Sequence, residues 1–110
     1  MLDMPVKEKE KRRVSKGRAL DWVYVFADFE DVLAAVKRMP DLPRTRSSLF
    51  EFEGEYYLTL SSLGTGRKRQ LAEAVLDEYG ELVDIAKVFL SEHGKNVIED
   101  KAIQKLKSVF

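Results

Sequence analysis

The stretch Trp22-Val23-Tyr24-Val25-Phe26-Ala27-Asp28-Phe29-Glu30-Asp31-Val32-Leu33-Ala34-Ala35-Val36-Lys37-Arg38-Met39-Pro40 decides the fold. Its first five residues are β-branched or aromatic and lie between Asp21 and Asp28, which reads as a buried strand. The apolar period then changes. Phe29, Val32, Leu33, Val36 and Met39 follow the i, i+3, i+4, i+7 spacing of one helical face. Asp28 is placed to cap the free N–H groups of the first turn, and Glu30 and Asp31 suit the positive end of the helix dipole. Pro40 restricts Met39 and ends the helix.

Downstream, Ser48, Phe50 and Phe52 alternate with Leu49 and Glu51, the period of a strand. Glu53-Gly54 reads as a two-residue turn, with glycine supplying the positive φ of a tight hairpin. The return strand is Glu55 to Leu60, with Tyr56, Leu58 and Leu60 on one face and Tyr57 and Thr59 on the other. Ser61 to Gly66 is a loop. A helix follows over Arg67 to Tyr79 with Leu71, Val75, Leu76 and Tyr79 as its apolar face, closed by Gly80 as a left-handed cap. Glu81 to Lys87 reads as a fourth strand and Val88 to His93 as a short helical turn. Asp100 caps a last helix, in which Ala102, Ile103, Leu106, Val109 and Phe110 face the core. The order is that of an α+β, ferredoxin-like βαββαβ antiparallel sheet with helices on one face, plus C-terminal helical elements.

Upstream, residues 1–19 are dense in charge and read as a flexible linker or tail, leaving residues 20–110 as one folded domain. The formal net charge of the 110 residues is zero, but the halves differ. Residues 1–20 carry seven Lys/Arg and three Asp/Glu, hence +4, and residues 21–110 carry twelve and sixteen, hence −4. An acidic body disfavours nucleic acid, whose binding needs a basic face. No apolar run suggests a membrane span, and the charged N-terminus is not a secretory signal. The lack of cysteine excludes a disulfide framework and a thiolate zinc site, and fits a cytoplasmic protein.

Catalytic chemistry is hard to build. The single histidine, His93, precedes Gly94 at a helix end, where it meets the negative pole of the dipole. No His/Asp/Glu group has metal-ligand spacing, so neither a metal nor a cofactor is expected. The loop Leu63-Gly64-Thr65-Gly66-Arg67-Lys68-Arg69 looks like a phosphate cradle but lacks the P-loop and dinucleotide patterns. Arg67, Lys68 and Arg69 also stand at the positive end of their helix, with Asp77 and Glu78 at the negative end. The dipole disfavours that arrangement, so stability does not account for it. Trp22, Tyr24, Phe26, Tyr56 and Tyr57 are better read as core than as an RNA-stacking platform, since Glu51, Glu53 and Glu55 would repel phosphates.

Three segments together resemble the MecA/YpbH adaptor family. They are Phe26-Ala27-Asp28-Phe29-Glu30-Asp31-Val32, similar to F-x-D-F-E-D-V, and Gly54-Glu55-Tyr56-Tyr57-Leu58, similar to G-x-Y-Y-L. The third runs from Glu78-Tyr79-Gly80 through Glu92-His93-Gly94-Lys95 to Leu106 and Phe110, similar to the family's E-Y/H-G-K stretch and final L-K-x-x-F helix. The resemblance covers about residues 20–110 and implies the family's C-terminal domain, a non-enzymatic adaptor. Such a domain binds a ClpC-type AAA+ unfoldase, promotes its active hexamer, and links it to the ClpP protease and to substrates such as a competence transcription factor. Nothing before residue 20 resembles the family's substrate-recruiting N-terminal domain, so poor substrate recruitment is expected. The interface must be exposed, which singles out Asp28, Glu30, Asp31, Glu78, Tyr79, Glu81 and Glu92 as candidate contacts for a basic partner patch. A homodimer is left open. The rivals are an ACT-like regulatory domain that binds a metabolite, and an RNA-binding module.

Overall fold

The computed structural model describes residues 22–83, 87–98 and 102–109. The tail at 1–19 and the Asp100 cap lie outside the described residues, as do the side chains of Val109 and Phe110. In chain order the elements are β1 (Trp22–Phe26), α1 (Phe29–Arg38), β2 (Arg46–Phe52), β3 (Glu55–Ser61), α2 (Arg67–Tyr79), β4 (Glu81–Leu82), α3 (Lys87–His93), β5 (Lys95–Ile98) and α4 (Ala102–Val109).

The strands form one sheet in the order β4-β1-β3-β2-β5 with every neighbour antiparallel. The first four keep the order of a ferredoxin-like βαββαβ unit, as the pattern predicts, and the sheet belongs to a mixed α+β fold. Register follows the alternation of side chains. Tyr24 lies opposite Leu58 and Trp22 opposite Leu60, so their large side chains share one face. The turn between β2 and β3 uses Glu53 (φ 52°) and Gly54 (φ 84°). Two positive φ values make the type I′ geometry that matches strand twist.

One face carries the main core. Tyr24, Phe26, Leu49, Leu58 and Leu60 meet Val32, Ala35 and Val36 of α1, Ala72 and Leu76 of α2, and Ile103 and Leu106 of α4. Burying a side chain such as Val32 or Leu58 contributes about 1.5–3 kcal/mol each before entropy is counted. The buried Ser47 hydroxyl accepts the Ile103 N–H at 2.9 Å, tying the start of α4 to β2. The other face is covered by α3, whose fully buried Leu90 packs with Val23, Phe50 and Tyr57.

Four local readings change. The fourth strand is two residues long rather than seven. Glu81 pairs with Val25, Leu82 with Tyr24, and the Val83 N–H donates to the Val23 carbonyl. The strand ends before Val83, and Lys87 belongs to α3. Residues Lys95–Ile98, not expected to be extended, add a fifth strand beside β2. In α2 the buried line is Ala72 and Leu76, while Leu71 is 49 % exposed. Leu71 sits one position, roughly 100°, away from that line.

Gly80 is the fourth. Its backbone is extended (φ −139°) rather than left-handed. A Cβ there would stand 2.6 Å from the Phe26 ring. Close approach to a core aromatic, and not a turn, is what calls for glycine.

Candidate protein-interaction surface

Asp28 is extended (φ −149°) and its Oδ1 accepts the Asp31 N–H at 3.1 Å, which makes it the N-cap of α1. A cap of this kind stabilises a helix by about 1 kcal/mol. Glu30 and Asp31 occupy the first turn, and Lys37 and Arg38 the last. Both ends therefore complement the dipole. Asp28 and Glu30 are exposed and Asp31 is half-buried.

Glu81 is brought to the same end of the sheet. It pairs with Val25, one residue before Phe26 and three before Asp28, and neighbouring Gly80 lies against the Phe26 ring. Two acidic segments separated by some fifty residues of sequence thus lie near the end of β1, with Glu81, opposite Val25, on the α3 face of the sheet and Asp28, Glu30 and Asp31 at the start of α1 on the other. Glu81 is exposed.

Glu78 and Tyr79 are engaged within the chain. Arg38 Nη1 donates to the Tyr79 hydroxyl at 2.7 Å and to both Glu78 carboxylate oxygens at 3.2 Å. Its guanidinium also lies 5.6 Å from the Tyr79 ring centroid. The bond to Tyr79, then the Glu78 charge, push the Arg38 pKa up. The last turns of α1 and α2 are joined by this contact, which remains open to solvent. An outside cation reaching Glu78 would share its carboxylate with Arg38.

Glu92 does not join the others. It is exposed on α3, which covers the opposite face and packs on β2 and β5, away from the β4 edge. The seven sequence candidates therefore divide into an open acidic group at the start of α1 (Asp28, Glu30, Asp31), Glu81 at the same end of the sheet but on its other face, an internally paired group (Glu78, Tyr79) and an outlier (Glu92).

Sequence reasoning missed a second surface. A shallow groove of about 400 Å³ is lined by Phe29, Glu51, Tyr56, Lys95, Asn96 and Val97. Phe29 and Tyr56 form its aromatic wall, with ring centroids 5.4 Å apart. Val97 on β5 is 43 % exposed and Phe89 on α3 36 %. The signal for β5 was the Val97-Ile98 pair, which is too short to show a period.

The cations in the first turn of α2 are partly explained. Arg69 Nε donates to Glu73 at 3.2 Å, and its guanidinium lies 5.0 Å from the Trp22 ring centroid. Local packing therefore accounts for Arg69, against the expectation that stability explains none of the three. Arg67 and Lys68 remain exposed. His93 ends α3 as its sequence position predicts, with Nδ1 3.2 Å from the Phe89 carbonyl and its ring stacked on Phe89 at 4.7 Å. Among the described residues no three of His, Asp and Glu converge as metal ligands, and no helix is long and apolar enough to cross a membrane.

The family model described as negative regulator of genetic competence (MecA) matches residues 3–106. The chain is similar to adapter protein MecA 1 of Halalkalibacterium halodurans, 34% identical over 88 residues, covering 79% of this chain and 44% of that protein. It is similar to adapter protein MecA 2 of Bacillus subtilis, 26% identical over 98 residues, covering 89% of this chain and 50% of that protein. The chain spans about half the length of these curated relatives. Its fold matches the crystal structure of the C-terminal domain of MecA with a TM-score of 0.71 and 28% identity, over 83% of this chain and 98% of that domain. It also matches a chain in the cryo-EM structure of the MecA–ClpC complex, with a TM-score of 0.69 and 29% identity over 83% of this chain and 96% of that one.

Proposed function

From the premise that this chain belongs to the MecA family, we propose that it is a non-enzymatic adaptor domain that docks on a ClpC-type AAA+ unfoldase. The observation that carries the reading is the likeness, over nearly the whole of that chain, to a component of the MecA–ClpC complex. The domain would favour the assembled, active unfoldase ring and so feed proteolysis by ClpP in the cytoplasm. Substrates would be recruited by other parts of the protein or by partners.

The acidic end of the sheet supplies the chemistry for docking. Asp28, Glu30, Asp31 and Glu81 present carboxylates on a rigid frame of β1, α1 and β4. Rim charges of this kind raise the association rate and fix orientation more than they add affinity. Glu78, Tyr79 and Glu92 contribute less in this reading, the first two because Arg38 already engages them.

Binding of the purified chain to a ClpC-type unfoldase, measured by interferometry at several salt concentrations, tests the proposal. The expected result is binding whose on-rate falls with salt, and falls further in Glu30→Lys and Glu81→Lys while Glu92→Lys binds like the parent. Equal binding by all three variants would remove the acidic end from the interface. No binding by the parent to a cognate, active unfoldase would overturn the adaptor reading.

A further inference from the structure

The end of the sheet away from the acidic group carries a second site. β3 runs for seven residues from Glu55, beside the Glu53-Gly54 turn, to Ser61, about 20 Å at a strand's rise per residue. There the loop that leads into α2 meets the loop that leads into β2. Between them lies a pocket of about 210 Å³. Leu42, Pro43 and Leu63 give it an apolar lining, with Leu42 and Leu63 buried. Arg44 and Lys68 line it as well, and both are exposed.

The chain itself fixes the walls. Thr45 is buried, and its hydroxyl donates to the Ser62 carbonyl at 3.1 Å, which ties one loop to the other. Its N–H donates to the Leu42 carbonyl at 3.1 Å and closes the turn at Leu42 to Thr45. Ser62 is held at φ 58°, a left-handed conformation that serine adopts at a cost. A pocket built this way stands ready-made, so a ligand need not order it.

Its charge is unbalanced. Arg44, Arg67 and Lys68 are exposed, and none has a side-chain hydrogen bond or ion pair among the described residues. The carboxylates closest to them in sequence are engaged elsewhere, Asp41 by Lys107 at 3.1 Å and Glu73 by Arg69 at 3.2 Å. Arg67 and Lys68 also stand against the dipole of α2, whose first turn has no acidic residue. We propose that this pocket binds an acidic segment of a partner protein. One apolar side chain of the segment seats between Leu42, Pro43 and Leu63, and the carboxylates beside it pair with Arg44, Lys68 and Arg67.

Charge and shape select that occupant. The pocket has room for one side chain of about leucine size and not for a folded element. A guanidinium such as that of Arg44 matches a carboxylate with two parallel hydrogen bonds. A carboxylate beside Arg67 and Lys68 supplies the negative charge that the start of α2 lacks. Nucleic acid fits less well. None of the lining residues is aromatic, so bases have nothing to stack on, and the net acidic body breaks the basic track that a polyanion follows. The pocket and the acidic end lie at opposite ends of β3, so both can be occupied at once. The proposal does not rest on the unfoldase reading.

Fluorescence anisotropy of a labelled peptide of Asp and Glu with one central Leu, titrated with the full chain to millimolar concentration, is the test. The expected result is saturable binding that salt weakens. A peptide with Ser in place of the Leu should bind about tenfold more weakly or worse, because it buries no apolar side chain. Arg44→Glu and Lys68→Glu should each weaken binding about tenfold, with circular dichroism showing the fold retained, while Glu30→Lys at the far end binds like the parent. Absence of saturable binding overturns the proposal. Equal binding of the Leu and Ser peptides also overturns it, since charge alone would then explain the contact. So does tighter binding of a single-stranded oligonucleotide than of the peptide. No unfoldase is present in this assay, so its failure leaves the adaptor reading standing, and failure of unfoldase binding leaves the pocket standing.

Discussion

Replacing Gly80 by alanine adds one methyl group at the junction of α2 and β4, where the structure leaves no room for it. The new Cβ would meet three Phe26 ring carbons at 2.6, 2.8 and 2.9 Å. Phe26 is 1 % exposed and belongs to the main core, so its ring cannot swing into solvent. Relief requires a shift of several tenths of an ångström in packed surroundings, a strain of about 1–3 kcal/mol. The backbone does not add to this, because an extended φ of −139° suits alanine. At about 4–8 °C per kcal/mol for a domain of this size, Tm should fall by roughly 5–20 °C. Thermal melting followed by circular dichroism reads the effect. A double-mutant cycle with Phe26→Leu locates its cause: in the leucine background the cost of Gly80→Ala should drop by about 1 kcal/mol or more. A neutral or stabilising Gly80→Ala would rule out the contact with Phe26, because freedom from the clash would leave only the gain of about 0.4–1 kcal/mol from a stiffer unfolded chain.

Ser47→Ala removes the acceptor of the Ile103 N–H at a buried site, and should cost about 1–3 kcal/mol. Hydrogen exchange should rise most in α4, which checks the assignment. Burial, followed by the Glu55 and Glu53 charges, raises the Tyr57 pKa. The unfolded chain then releases this proton first, so stability is full below about pH 10 and declines as pH rises through the folded value. Tyr57→Phe should flatten that alkaline decline in Tm, and an unchanged slope would count against it. Arg67→Glu places an acid at the positive end of α2 and should stabilise the fold by about 0.3–1 kcal/mol at low salt, read by urea unfolding.

The core fold was legible because its first half has two clear periods in succession. Trp22–Phe26 alternates against Leu58 and Leu60, and Val32 and Val36 lie on one helical face. The turn at Glu53-Gly54 and the Asp28 cap were equally readable, since each depends on residues within three or four of one another. α2 was harder. Its buried line rests on Ala72, whose small side chain gives little signal, and the bulkier Leu71 drew the apolar face one position out of phase. Gly80 follows a helix, so a left-handed cap was the natural reading. Only the position of Phe26, 54 residues earlier, shows otherwise. The candidate surface followed the same rule. Individual carboxylates could be named from the chain, but the meeting of Glu81 with the end of β1 depends on strand register. The Arg38–Glu78–Tyr79 contact joins residues 40 and 41 apart, a separation at which sequence periodicity carries no information.

The ATPase rate of a purified ClpC-type unfoldase, with and without this chain, is the most direct test of the adaptor account. The account predicts stimulation together with co-elution in a large assembly on a sizing column. A cognate, active unfoldase that shows neither would contradict it, while leaving the family fold in place.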